Sequence, residues 1–220
     1  LLLEPSQAVS LLHPAGGEGL EPLEVCGPAA SRVSVEGFSA SISVSGGSGA
    51  VAAETVNGSI TQSGAAKEVQ LQSVNGTVET TGPRGRVQAE AVNGTVTVRD
   101  AEGELEASTV NGTLTVSAGS FDRVHLETVA GSVRFEGSLT PKATLGVETV
   151  SGLCELVFPA GFGADITVTT FSGSITNELG PAAQKKSDFT PGSELRFTSA
   201  GGGARVSVET LSGAVQIRKK

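Results

Sequence analysis

Tryptophan, tyrosine and methionine are missing from this chain, and phenylalanine, at eight copies, is its only aromatic residue. Sugar clefts and base-reading surfaces are built on aromatic platforms, so the shortage counts against both. Basic residues are also short, with 15 Lys and Arg against 23 Asp and Glu and a formal net charge of −8. Nucleic acid and anionic membrane surfaces would each need a basic patch. The one basic cluster, Arg218-Lys219-Lys220, reads as a solvated tail. No apolar run is long enough to span a bilayer. The two histidines, His13 and His125, stand in no spacing that suggests a metal site or a catalytic triad. Asp100, Asp122, Asp165 and Asp188 read as residues of turns, a strand edge and a loop.

What the chain has instead is repetition. Val56-Asn57-Gly58, Val74-Asn75-Gly76, Val92-Asn93-Gly94 and Val110-Asn111-Gly112 follow one another at intervals of 18 residues. Val129-Ala130-Gly131, Val150-Ser151-Gly152 and Phe171-Ser172-Gly173 continue at steps of 19, 21 and 21, and Leu211-Ser212-Gly213 follows after 40. Phe38-Ser39-Ala40 opens the series 18 residues before Val56. A fixed period near 20 is the signature of a solenoid.

Each repeat is numbered here from Val51, Val69, Val87, Leu105, Val124, Leu145, Ile166 and Val206 as position one. Positions one, three and ten are apolar in every copy, and position twelve often is, while positions two and four are mostly polar. Period-two alternation describes strands with one buried face. Each repeat is therefore strand, Asn-Gly corner, strand and a looser turn. Asn-Gly between alternating strands also signals a hairpin, and an antiparallel meander is the competing arrangement. The apolar Val at position six breaks the parity a two-residue hairpin requires. Identical residues at a constant interval stack like on like only when all coils run the same way. The sequence thus predicts an all-β fold, a single-stranded parallel β-helix with about 18–21 residues per coil. Val92 and Val96 are both expected in its dry interior column.

The corner column reads as architecture: Asn57, Asn75, Asn93 and Asn111, with Ser151, Ser172 and Ser212 filling the same place in later coils. Asn accepts the conformation of a sharp corner, and its amide can pair with those above and below. Position four carries Glu36, Glu54, Glu90, Glu127, Glu148 and Glu209, interrupted by Gln72, Ser108 and Thr169. A calcium edge needs several converging oxygens, so this column reads as a solvated face. Cys154 falls at an inward position and Cys26 many coils away, which argues against a disulfide between them. No catalytic, cofactor or metal residue is assigned, and no cofactor is expected.

Residues 1–30, with Pro5, Pro14, Pro22 and Pro28, are expected to form a cap with a degenerate first coil, Leu20 to Gly27. Residues 31–220 form the repeat domain. The segment 176–192 fits no coil and reads as a protruding loop, Leu195-Arg196-Phe197 as an abbreviated coil, and Val206 to Ile217 as the last regular one. With proline at one end and three cations at the other, both ends should resist end-to-end growth, giving a monomer or small oligomer. The chain opens on Leu1-Leu2-Leu3 without Met, which points to an upstream signal or anchor segment.

The lines Ala53-Glu54-Thr55-Val56-Asn57-Gly58-Ser59-Ile60 and Val208-Glu209-Thr210-Leu211-Ser212-Gly213-Ala214-Val215 resemble an adhesin family of bacterial envelope proteins, a domain of unknown function with many β-strand repeats. The likeness covers roughly residues 20–217 and departs at the loop 176–192 and the short coil near Gly201. It implies a right-handed β-helix of pectate-lyase-like shape without enzyme activity, and it brings no functional residues. The expectation is a non-enzymatic protein of the cell envelope, exported or envelope-associated. It would offer a rigid surface to a protein or surface ligand, with no nucleic acid partner and no integral membrane segment. A scaffold that assembles end to end, as bactofilins do, is the alternative from another class. A polysaccharide-processing enzyme is the third reading. Pectate-lyase-type catalysis would cluster acids and bases on one face, and no such cluster is evident.

Overall fold

The structure, a computed structural model, describes residues 9–10, 30–187 and 190–220. It is all-β, and the sheet is mostly parallel. After the short β1 (Val9–Ser10) come β2 (Val33–Ser39), β3 (Ile42–Ser45), β4 (Ala50–Asn57), β5 (Ile60–Ser63) and β6 (Glu68–Thr81). β7 (Arg84–Phe158) is extended over 75 residues. At about 3.3 Å per residue such a strand would be far longer than the molecule, so it winds. Bonds between its own residues 18 apart, Asn111 to Asn93 and Arg86 to Glu104, show the winding. The register is that of the repeat: Val51 lies beside Val69 and Val69 beside Val87, Asn57 beside Asn75 and Asn75 beside Asn93. Like stacks on like, in a parallel solenoid.

Positions one, three, ten and twelve fill the interior. Val69, Leu71, Val78, Val87, Ala89, Val96 and Val98 are buried, as are their counterparts up the stack except Ile175, which is partly buried, and Asn177. Phe121, Phe135, Phe158 and Phe162 continue the core through the longer coils, with ring centroids 5.9, 6.0 and 4.4 Å apart. In the first coils position twelve is polar but internally satisfied. Thr80 donates to Gln62 Oε1 at 2.5 Å, and Gln62 Nε2 donates to the Gly64 carbonyl at 3.2 Å. Cys154 is buried, and desolvation pushes its thiol up to about 12.

The Val of position six does not join this core. Val92 is 41% exposed, whereas Val96 is fully buried. The inward place beside Val92 belongs to position five, where Thr55, Ser73, Ala91, Thr109, Thr128, Thr149, Thr170 and Thr210 are all buried. Alternation explains the correction. Positions one, three and five share a face, so position six must point out however apolar it is.

Glycine marks the corner for a steric reason. A Cβ on Gly76 or Gly94 would lie 1.8 Å from the carbonyl oxygen of the corner glycine one coil away, at φ of +155° and +158°. The same close approach reports the order of the stack: Gly58 on Ala40, then Gly76, Gly94, Gly112, Gly131 and Gly152, each on its predecessor. Next comes Gly213, and Gly173 lies on Gly213.

Chain order and stacking order therefore part company. The final strand β12 (Ala204–Lys219) is inserted between the last turn of β7 and β8 (Ala164–Thr170). It pairs parallel to β7 from Arg205 beside Thr144 to Lys219 beside Phe158. On its other edge lie β8 and β9 (Ser174–Asn177), also parallel. The segment expected to protrude does not form a free loop. Its β10 (Gln184–Ser187) pairs antiparallel with β11 (Thr190–Ser199), which lies antiparallel on β8. Leu195 to Phe197 is thus part of an antiparallel strand rather than a short coil. Arg218, Lys219 and Lys220 are solvent-exposed, as expected, but they lie beside an internal strand rather than at an end of the stack. Arg218 pairs with Glu155 at 2.9 Å and Lys220 with Glu136 at 2.8 Å. The cap and degenerate coil expected over residues 1–30 lie outside the described residues, apart from Val9–Ser10, which pairs with Val35–Glu36, and Ala30.

Candidate binding groove

Positions four and six point outward on either side of the inward Thr, and each forms a column up the solenoid. The apolar column runs Phe38, Val56, Val74, Val92, Val110, Val129, Val150, Leu211 and Phe171 in stacking order. All but Val56 are well exposed, Phe171 at 60% and Leu211 at 53%. Isolated surface Val residues need no explanation, but a continuous stripe does. Between this column and that of position four lies a groove. Its upper part encloses about 510 Å³ between Glu127, Glu148 and Glu209 on one wall and Val129, Val150, Leu211 and Phe171 on the other. Its lower part, about 300 Å³, is walled by Glu54, Gln72, Glu90 and Ser108 against Val74, Val92 and Val110, and shares Glu127 and Val129 with the upper part.

Insertion of β12 changes the acidic wall. Glu209 lies directly beside Glu148, so Glu127, Glu148 and Glu209 occupy three successive coils. Coils about 4.8 Å apart put like charges close together, which is unfavourable unless something offsets it. Among the described side chains, which do not include those of 185–191, nothing does. Ion pairs join Arg32 to Glu68, Arg84 to Glu102, Arg86 and Arg123 to Glu104, Arg99 to Glu79, and Arg134 to both Glu136 and Glu155. None reaches the position-four column. Of that column only Glu90 accepts a hydrogen bond, from Gln88 at 2.8 Å. Above Thr169 the run meets Glu194 on β11, which Arg196 engages at 3.6 Å, so the free carboxylates end there.

The corner residues stand beside the apolar column. Asn75 donates to Asn57 at 3.0 Å, and Asn93 to Asn75 and Asn111 to Asn93 at 3.1 Å each. Ala130 interrupts the amide run, and Ser151 donates instead to the Val129 carbonyl at 3.3 Å. Ser212 lies beside Ser151, and the Ser172 amide donates to the Leu211 carbonyl. The asparagine amides bond to one another along the stack, and the groove walls are other residues. Sequence reading missed the apolar wall. Its signal was the unbroken Thr, Ser or Ala at position five, which already occupied the inward phase.

Among the described residues no group of three His, Cys, Asp or Glu is arranged to hold a metal ion, and no helix is long and apolar enough to cross a membrane. Compared with protein-family models, with curated proteins and with solved structures, the chain matches none.

Proposed function

We propose that this chain is a non-enzymatic binding module of the cell envelope, an adhesin-like right-handed β-helix whose groove is the contact surface. The observation that carries the reading is the exposed apolar column, which runs alongside the acidic column through nearly every described coil. Apolar surface arranged in this way marks an interaction site. Right-handedness is the hand that parallel strand crossovers adopt almost without exception. The non-enzymatic reading is supported by the groove lining, where the carboxylates stand among Thr, Ser, Gln and apolar side chains, with no His, Cys or Lys lining it to share acid–base work.

The module acts as a monomer or small oligomer rather than a filament. At one end the parallel stack gives way to an antiparallel edge, the four-residue β10, Gln184-Lys185-Lys186-Ser187. So short an edge strand is a poor template for another coil.

The test is adhesion of beads coated with the protein to cell surfaces, beside fractionation of the bacterium that makes it. Replacing Val129, Val150 and Leu211 together by Ser alters exposed side chains only, and should abolish adhesion while leaving the melting temperature unchanged. Retained adhesion, or a protein found in the cytosolic fraction, would overturn the reading.

A further inference from the structure

We infer that the upper groove takes a cationic amphipathic helix, its apolar side chains against Val129, Val150 and Leu211 and its Lys or Arg side chains against Glu127, Glu148 and Glu209. The inference rests on the groove being the contact surface and names its occupant. Charge is the first argument. Most arginines of the described residues pair with carboxylates elsewhere, yet among the described side chains no cation pairs with the three successive groove carboxylates. A partner that supplies positive charge removes their mutual repulsion on binding, and one that supplies apolar surface covers the adjoining column.

Backbone accounting selects a helix. β12 is paired along both edges, by β7 on one side and by β8 and β9 on the other, so the groove offers side chains and no free ladder of N–H and C=O groups. An extended peptide would lose backbone hydration there without replacement, whereas a helix satisfies its own backbone. Dimensions agree. A helix rises about 5.4 Å per turn, close to the roughly 4.8 Å between coils, so successive turns can present one cation to each successive coil.

The probe is a synthetic Leu/Lys amphipathic peptide of about 14 residues, roughly four helical turns. It is titrated into the full chain by fluorescence anisotropy, beside the same peptide with Glu in place of Lys. The Leu/Lys peptide should bind, the Leu/Glu peptide should not, and affinity should fall as salt is raised. The variant E127Q/E148Q/E209Q should bind at least about tenfold more weakly, as loss of three charge contacts implies. E79Q/E102Q, remote from the groove, should bind as the parent does. Failure of the Leu/Lys peptide to bind, or equal binding by the triple Gln variant, overturns the occupant. So does a chain that self-associates through this face and excludes the peptide. If the Ser variants abolish adhesion while the peptide does not bind, the groove stands as the contact surface and this inference falls alone.

Discussion

The first coils and the last ones are written in nearly the same repeat, yet they are assembled differently. From Val33 to the last turn of β7 each coil lies on the coil before it in the chain. Beyond Phe158 the chain skips one place, lays down β8 and β9, closes them with the antiparallel β11 and β10, and returns to fill the gap with β12. A self-similar sequence fixes what may stack on what and leaves open which copy does so. The groove follows from that freedom, because the return of β12 completes the row of Glu127, Glu148 and Glu209 and sets Leu211 between Val150 and Phe171.

The largest effect should come from removing residues 204–220. In a stack built in chain order this would trim one terminal coil. Here it takes out an internal one, with the fully buried Val206, Val208, Val215 and Ile217. At about 1.5–3 kcal/mol each, an upper bound of about 6–12 kcal/mol is lost. Limited proteolysis should then cut throughout 159–203 while the coils from 33 to 140 stay resistant. A resistant 159–203 segment would refute the insertion.

Next in size is a contrast within one coil. Val96→Asp should destabilise by about 3–5 kcal/mol, because it leaves an unpaired charge in the core. Val92→Asp, on the exposed column, should change stability by less than about 1 kcal/mol. Equal losses in denaturant unfolding would put position six back inside.

How much of this could be read from residues alone is shown by those two valines. The strands, the parallel register and the Asn corner were legible because they depend on periodicity, which the sequence displays directly. Val92 was misplaced because apolarity was weighed above parity. Position five of that coil is Ala91, where most other coils have Thr, and so small a side chain gave the inward phase no emphasis. The insertion was not legible, since Val206 to Val215 fits beside Leu145 to Cys154 as well as beside Ile166 to Ile175. The pairing of Glu148 with Glu209 was hidden for the same reason, and the groove with it.

A smaller change of opposite sign is expected at position five. The hydroxyls of Thr109, Thr128, Thr170 and Thr210 are buried without a partner, whereas Thr55 reaches the Ala40 carbonyl at 3.3 Å. Thr128→Val keeps the shape and removes an unsatisfied group, so it should stabilise by about 1 kcal/mol. Thr55→Val removes a hydrogen bond that is made, and should instead lose about 1 kcal/mol. Denaturant midpoints measure both, and a loss at Thr128 as large as at Thr55 would contradict the difference between the early and late corners.

The smallest effect concerns the ion pairs that tie β12 to the coils beneath. Lys220 and then Arg134 hold the Glu136 carboxyl below its ordinary range. A depressed carboxylate stabilises the fold above its unfolded-state pKa, and that contribution is lost as pH falls through the lower folded-state value. Glu136→Gln should therefore lower stability slightly near neutral pH and leave it nearly unchanged in acid, flattening the acid limb of the stability curve. An unchanged acid limb would show the pair to be inert.

Stacking order is tested most directly by disulfide trapping at the corner, in a chain carrying Cys26→Ser and Cys154→Ala. Ser151 and Ser212 are register partners on adjacent strands. Their Cα atoms, about 4.8 Å apart, are within the range a disulfide spans. Ser151 and Ser172 would be neighbours if the coils followed chain order, but with β12 between them they lie about two coil spacings apart, beyond that range. On mild oxidation the Ser151→Cys/Ser212→Cys protein should cross-link rapidly, and the Ser151→Cys/Ser172→Cys protein should not. Cross-linking of the second pair and not the first would contradict the inserted strand and dissolve the row of three carboxylates built on it.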